Sequence, residues 1–217
     1  MEDFSGELTL YRSIKNWITK KKQRREFLAW EQKGKPLPPP HMVKQQVLRG
    51  VAKEFGLRIL VETGTFYGDM VEALKGDFER IYSIELSQDL HEKARRRFAK
   101  EEHITLLRGD SGEVLEELTK VLESPALFWL DGHYSAGETA RGVKDTPILE
   151  ELEHILGSCE KRHVIVVDDA RCFGTEPAYP TVEELRSFVI SRRRDMVFKV
   201  DIQHDNIQMI PQEDGLS

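Results

Sequence analysis

Five acidic residues stand where five short apolar runs end. Glu62 and Glu85 close the runs through Val61 and Ile84, and Asp110, Asp131 and Asp168 follow those through Leu107, Leu130 and Val167. Carboxylates accept hydrogen bonds and attract cations, so their surroundings decide what each can do. Glu62 opens Glu-Thr-Gly-Thr-Phe-Tyr-Gly, in which Gly64 and Gly68 let the chain turn sharply and approach a ligand closely. A tight turn without a ligand is the competing reading of the glycines alone. The dinucleotide fingerprint G-x-G-x-x-G is absent. An acid at Glu62 would repel a pyrophosphate and suits a cationic ligand. Glu85 lies 21 residues beyond Gly64, where a carboxylate can accept two hydrogen bonds from ribose hydroxyls; by itself it is a polar strand end. Asp110 and Ser111 can hold an adenine edge or cap a helix, and the two roles are compatible.

A second group lies further on. Asp131 precedes Gly132 and His133, and Asp168 is followed by Asp169, Ala170 and Arg171. If neighbouring strand ends bring Asp131, Asp168 and Asp169 together, their mutual repulsion calls for a cation, and all-oxygen ligation suits magnesium. The alternative is that Asp168 and Asp169 cap a turn while Asp131 touches a bound organic ligand. The stretch from Asp131 to Asp145 carries Arg141 and Lys144 and reads as a long loop at a ligand-binding edge. His91, His103 and His154 fall in expected helices or at strand starts and read as surface or packing residues.

The elements that must place these residues alternate. Strands are expected at Arg58 to Val61, Arg80 to Ile84, Ile104 to Leu107, Leu127 to Leu130, His163 to Val167, Val197 to Val200 and Ile207 to Ile210. Helices are expected near Met42 to Phe55, Asp69 to Leu74, Gln88 to Ala99, Gly112 to Leu122, Pro147 to Leu156 and Val182 to Arg193. Alternation of this kind gives an α/β fold, a mostly parallel sheet covered by helices on both faces. The short link between the last two strands makes them an antiparallel hairpin at one end. Ligands of such sheets bind at the carboxyl ends of the strands, where the acids stand.

Residues 1–40 read as an appendage to a domain spanning 41–217. A broken apolar stripe from about Leu10 to Trp30 is helical, and the proline-rich stretch ending at Pro40 is a stiff linker. From Arg12 to Lys35 nine basic residues face Glu26 and Glu31, a local balance of +7 in a chain of net charge −6. The acidic body argues against a broad nucleic-acid-binding face. The basic segment is read as a solvated helix packing on the domain or on a second copy in a homodimer. A lid over an anionic acceptor and a membrane-surface anchor are the other readings. No apolar run approaches the roughly 20 residues of a membrane helix. No secretory pattern is visible, and Cys159 and Cys172 have no metal or redox spacing, so a cytoplasmic protein with reduced thiols is expected.

The successive segments VETGTFYG, IYSIELS, RGDS and LFWLDGHYS resemble the motifs of class I S-adenosylmethionine-dependent methyltransferases, over roughly residues 41 to 210. The resemblance implies a Rossmann-like seven-stranded sheet whose last strand is inserted antiparallel near one edge. It places Glu62 and Gly64 beside the methionine end of S-adenosylmethionine, Glu85 on the ribose, and Asp110 and Ser111 beside the adenine, with Gly68 and Asp131 also among the cofactor-binding residues. Asp131, Asp168 and Asp169 are similar to the acids that hold a divalent ion in metal-dependent sugar and catechol-type O-methyltransferases. The Asn-Pro-Pro-Tyr motif of many base- and amino-methylating relatives is absent, so the expected acceptor is a small-molecule hydroxyl, such as that of a sugar or natural product. The long lid of the sugar-modifying relatives is not recognisable. Methyl transfer also needs a group to take the acceptor's proton. An unperturbed histidine titrates near neutrality, and His133 is the candidate base or acceptor-orienting group beside Asp131. A hydrogen bond to Asp131, metal ligation or a water-facing position are its alternatives. A non-catalytic scaffold of the same fold is the rival class, and a nicotinamide-dependent oxidoreductase is disfavoured by the missing fingerprint.

Overall fold

A computed structural model of the chain describes residues 18–19, 21–131, 147–157 and 161–212. His133, Arg141 and Lys144, together with Cys159 and the start of the expected first helix, lie outside the described residues.

A helix over residues 21–32 (α1) leads to α2 (His41–Glu54) and then to regular alternation. The order is β1 (Ile59–Thr63), α3 (Asp69–Leu74), β2 (Arg80–Glu85), α4 (Gln88–Arg97), β3 (Ile104–Arg108), α5 (Ser111–Val121), β4 (Leu127–Leu130), α6 (Ile148–Gly157), β5 (Val164–Val167), α7 (Val182–Arg192), β6 (Phe198–Gln203) and β7 (Asn206–Pro211). The strands form one seven-stranded sheet in the order β3-β2-β1-β4-β5-β7-β6. β1 to β5 pair in parallel, and β7 runs antiparallel between β5 and β6.

Alternating side chains of the central strands feed two cores, because helices cover both faces. Val61, Phe128, Leu130, Ile165 and Val167 pack with Leu115 of α5, Leu152 of α6 and Leu185 of α7. Leu60, Leu127, Trp129, Val164 and Val166 pack on the other face with Leu48 of α2 and Val71 and Leu74 of α3. Both sets are almost wholly removed from water, which accounts for the unbroken apolar runs of the sequence.

Element ends fall close to their expected positions, with one instructive difference. β6 runs on to Gln203, past the expected end at Val200. It is an edge strand, and beyond Val200 its side chains are mostly polar, so apolar patterning stops before the hydrogen-bonded ladder does. His204 and Asp205 then close the hairpin in two residues, with φ of 49° and 64°. Positive φ at both positions is what a type I′ turn requires.

The basic residues Lys21, Lys22, Arg24 and Arg25 of α1 face solvent. Trp30 at its end is buried and donates from Nε1 to the carbonyl of Pro36 at 2.7 Å, which ties the proline-rich stretch back to the helix. Among the described residues no helix is long and apolar enough to cross a membrane.

Gly68 precedes α3 with φ of 75°, and a Cβ there would lie 2.6 Å from Cε2 of the buried Phe98 ring. Gly68→Ala therefore combines left-handed strain with overpacking, and a loss of about 1–3 kcal/mol is expected. A lowered urea midpoint with unchanged slope checks this; an unchanged midpoint would show that Phe98 yields freely.

Candidate functional site

The strand order reverses between β1 and β4, so the crevice beyond their carboxyl ends is the switch point at which such sheets bind ligands. The turn after β1 lines it. The backbone N–H groups of Gly64 and Thr65 both donate to the carbonyl of Ile84, at 3.0 and 3.1 Å, which pins the turn against the end of β2. Gly64, Phe66 and Gly68 have φ of 83°, 50° and 75°, so three residues of the turn are left-handed. The exposed rings of Phe66 and Tyr67 meet edge to face at 4.3 Å.

Glu85 is buried at the end of β2. Its Oε2 accepts from the Phe66 N–H at 2.7 Å and its Oε1 from the Ser87 N–H at 2.8 Å. Two backbone donors therefore fix the carboxylate, and each oxygen keeps acceptor capacity for a ligand hydroxyl. The Gly109 N–H donates to the Glu85 carbonyl at 3.1 Å and brings the end of β3 alongside. There Asp110 caps α5, accepting from the Gly112 N–H at 3.0 Å, and Ser111 begins the helix. The capping role of Asp110 is thus realised, and the half-buried residue still borders the crevice mouth.

Glu62 is almost completely buried, and Ser83 Oγ donates to its Oε2. Ser83 Oγ in turn lies 2.6 Å from Thr65 Oγ1. Burial pushes the Glu62 carboxyl up to about 8, against the Ser83 hydrogen bond and with the help of the charges of Asp131 and Glu85. At neutral pH the ligand-free site therefore holds a protonated carboxyl among acidic neighbours. Thr63 Oγ1, the next residue on β1, is buried without a hydrogen-bond partner among the described residues. A buried acid and an unsatisfied hydroxyl beside a glycine turn fit a ligand that brings positive charge and polar atoms.

At the ends of β4 and β5 the Asp131 N–H donates to the Thr63 carbonyl at 3.2 Å and the Asp168 N–H to the Leu130 carbonyl at 3.0 Å. Asp131, Asp168 and Asp169 thus share one edge of the crevice. Asp168 is fully buried; Lys44 of α2 donates to its Oδ2, and Asn206 Nδ2 donates to its Oδ1 at 2.9 Å. Lys44 also lies 3.5 Å from Asp169 Oδ1. Burial pulls the Lys44 ammonium down, but Asp168, Asp131 and Asp169 outweigh it and hold its pKa above the usual lysine value. Arg171 pairs with both Asp169, at 2.7 Å, and the buried Asp205 of the hairpin turn. Asp169 takes φ of 55° to make this turn.

The carboxylates in this arrangement do not fit a divalent ion. The ammonium of Lys44, which donates to Asp168 and lies 3.5 Å from Asp169 Oδ1, stands where magnesium was expected. Among the described residues no group of three or more His, Cys, Asp or Glu side chains is arranged to hold a metal. Cys172 is a buried free thiol pushed up to about 11, chiefly by burial, which suits a packing residue.

Lys44 and Asn206 were not singled out from sequence. The stripe His41, Lys44, Gln45 and Leu48 carried a signal, because helical spacing puts all four on one face of α2 and Gln45 and Leu48 are buried. A lysine on an inward stripe calls for a buried carboxylate. Asn206 had no comparable signal, since its partner lies 38 residues away and meets it only through the pairing of β7 with β5.

No protein-family model matches the sequence, and no curated protein matches it. Solved structures do match in fold. An O-methyltransferase from Bacillus cereus in complex with S-adenosylhomocysteine superposes with a TM-score of 0.60 at 14% identity, covering 89% of this chain and 91% of that one. The O-methyltransferase TomG from Streptomyces achromogenes, involved in tomaymycin synthesis and solved with S-adenosylmethionine, gives 0.57 at 19% identity, with 88% and 89% covered. A Podospora anserina methyltransferase bound to S-adenosylhomocysteine gives 0.57 at 17% identity, with 85% and 86% covered. At these identities the likeness is one of architecture: the chain is similar, along most of its length, to the Rossmann-like fold of solved S-adenosylmethionine-dependent methyltransferases.

Proposed function

We propose that the chain is an S-adenosylmethionine-dependent methyltransferase that O-methylates a small molecule, such as a sugar or natural-product hydroxyl. The buried Glu62 carboxyl carries this reading. It sits at the base of the glycine turn with acids around it, a setting that favours a cationic ligand over a pyrophosphate. Glu85, fixed by two backbone donors, suits a ribose diol, and Asp110 with Ser111 suits the adenine end. The O-methyltransferase fold of the neighbours supports the same assignment, and the acidic body of the chain supports a small-molecule acceptor over nucleic acid.

When bound, the cofactor supplies an electrophilic methyl group on a positively charged sulfur. The protein's task is to align the acceptor oxygen with that methyl and take the acceptor's proton. Glu62 and Asp131 hold the methionine end through its charge. The glycine turn allows close approach, and Phe66 and Tyr67 shield the entrance. His133, two residues beyond Asp131, is proposed as the acceptor-side base on the strength of its place in the sequence and because an unperturbed imidazole titrates near neutrality. No step in this scheme runs through a metal ion.

Glu62 makes cofactor binding a protonic event. A carboxyl that ordinarily titrates near 4.5 is held at about 8 in the ligand-free fold. Its contribution to stability is therefore full below pH 4.5 and lost as pH rises through about 8. A bound cation favours the carboxylate, so binding S-adenosylmethionine, which brings the sulfonium, should release about one proton at pH 7. Calorimetry in buffers of different ionisation enthalpy measures this, and Glu62→Gln should abolish the release. Binding without proton release would remove Glu62 from the ligand's contacts.

Glu85→Gln should raise the dissociation constant about 10- to 100-fold, the scale of hydrogen bonds lost to a buried charged acceptor. Wild-type affinity in that variant would place the ribose elsewhere. With a labelled methyl donor and an acceptor identified by screening small hydroxyl compounds, His133→Ala should cut turnover about 10²- to 10⁴-fold while leaving cofactor affinity intact. Wild-type turnover in this variant would move the base to another residue.

A further inference from the structure

The ends of β4 and β5 present acids in the pattern that calls for a cation, and the fold supplies that cation from its own chain. Lys44 projects from the inward face of α2 to Asp168, with Asp169 Oδ1 at 3.5 Å and the charge of Asp131 also acting on it. Asp168 has no exposure to solvent and is held on its other oxygen by Asn206. Removing a cation from a buried carboxylate leaves an uncompensated charge, so the pair resists displacement. A magnesium ion requires oxygen ligands at about 2.0–2.1 Å in near-octahedral array. It would have to expel the ammonium from Asp168 to obtain them.

We infer that Lys44 is the resident cation of the acceptor pocket and fills the position a divalent ion would take. Its side chain is 15% exposed, so it is not sealed within the core. An ammonium carries three N–H donors; Asp168 takes one and Asp169 stands near a second, leaving at least one to meet an acceptor oxygen. Lys44 is thus a positioning residue, and its role toward the acceptor rests on the proposed methyltransferase reading. A metal ion can chelate two neighbouring oxygens at once. An N–H donor orients an acceptor hydroxyl without chelating, so the acceptor class is one whose single reacting hydroxyl need not have a metal-chelating neighbour.

Manganese titration followed by electron paramagnetic resonance tests the assignment without any acceptor. The wild-type protein should take up no stoichiometric ion at micromolar metal. Lys44→Gln, which keeps an N–H donor for Asp168 while dropping the charge, should gain one site, and Lys44→Gln combined with Asp168→Asn should lose it again. One tightly bound ion in the wild type, or none in Lys44→Gln, would overturn the inference. Turnover adds a readout that a purely structural ion pair would not move. Wild-type methylation should resist a chelator, whereas Lys44→Gln should be slowed and then stimulated by manganese. Chelator-sensitive wild-type turnover, or a slowed variant that metal fails to stimulate, would count against Lys44 as the pocket's cation. S-adenosylhomocysteine affinity, measured on the same samples, keeps the two ideas apart: a wild type that fails to bind it sinks the methyltransferase reading, while the manganese result stands by itself.

Discussion

A carboxylate cut off from water must be given partners by the fold, and Asp168 is the point where this constraint gathers the molecule. Lys44 comes to it from α2, ahead of the first strand, and Asn206 from β7, near the end of the described chain. Breaking a buried pair by removing one partner typically costs about 3–5 kcal/mol, because the other charge is stranded. The antiparallel insertion of β7 therefore does more than close the sheet: it delivers Asn206 to Asp168 and, one residue earlier, Asp205 to Arg171. Elements from both ends of the described chain thus converge on the crevice edge.

The same reasoning separates what the sequence makes legible from what it hides. Glu62, Asp131 and Asp168 could be placed because the parallel strands β1, β4 and β5, buried on both faces, read as apolar runs with an acid at their ends, while Glu85 and Asp110 stand at the ends of the less buried β2 and β3. The hairpin could be read from its short connection. Its role could not, because the bonds of Asn206 and Asp205 to the β5 end are tertiary events between distant positions. Lys44 lies between these cases: its helical face was readable, but its partner was not. The expectation of magnesium followed from counting acids at neighbouring strand ends, and a count of acids omits any cation brought by a preceding helix. His133 stays a reading of sequence, since it lies outside the described residues.

Two kinds of acid border the crevice, and burial sets their characters. Glu85 is held by two backbone N–H donors, one on each oxygen. Glu62 has a single hydroxyl donor and acidic neighbours, and it keeps its proton. A few ångströms of backbone thus give adjacent carboxyls different work. The geometry that does so is the turn itself, whose left-handed Gly64 and Phe66 bring one N–H to Glu85 and none to Glu62.

The buried Glu62 carboxyl also bears on how a catalytic cycle would end. Under the proposed chemistry the cofactor arrives with a sulfonium and leaves as a neutral thioether. A pocket that answers positive charge with Glu62 and Asp131 has less to hold once the methyl group has gone. The spent cofactor would keep its proposed ammonium and ribose contacts but would forfeit the attraction centred on sulfur. Part of the electrostatic grip would then be switched off by the reaction itself, which biases the site toward exchanging product for fresh cofactor without any moving part.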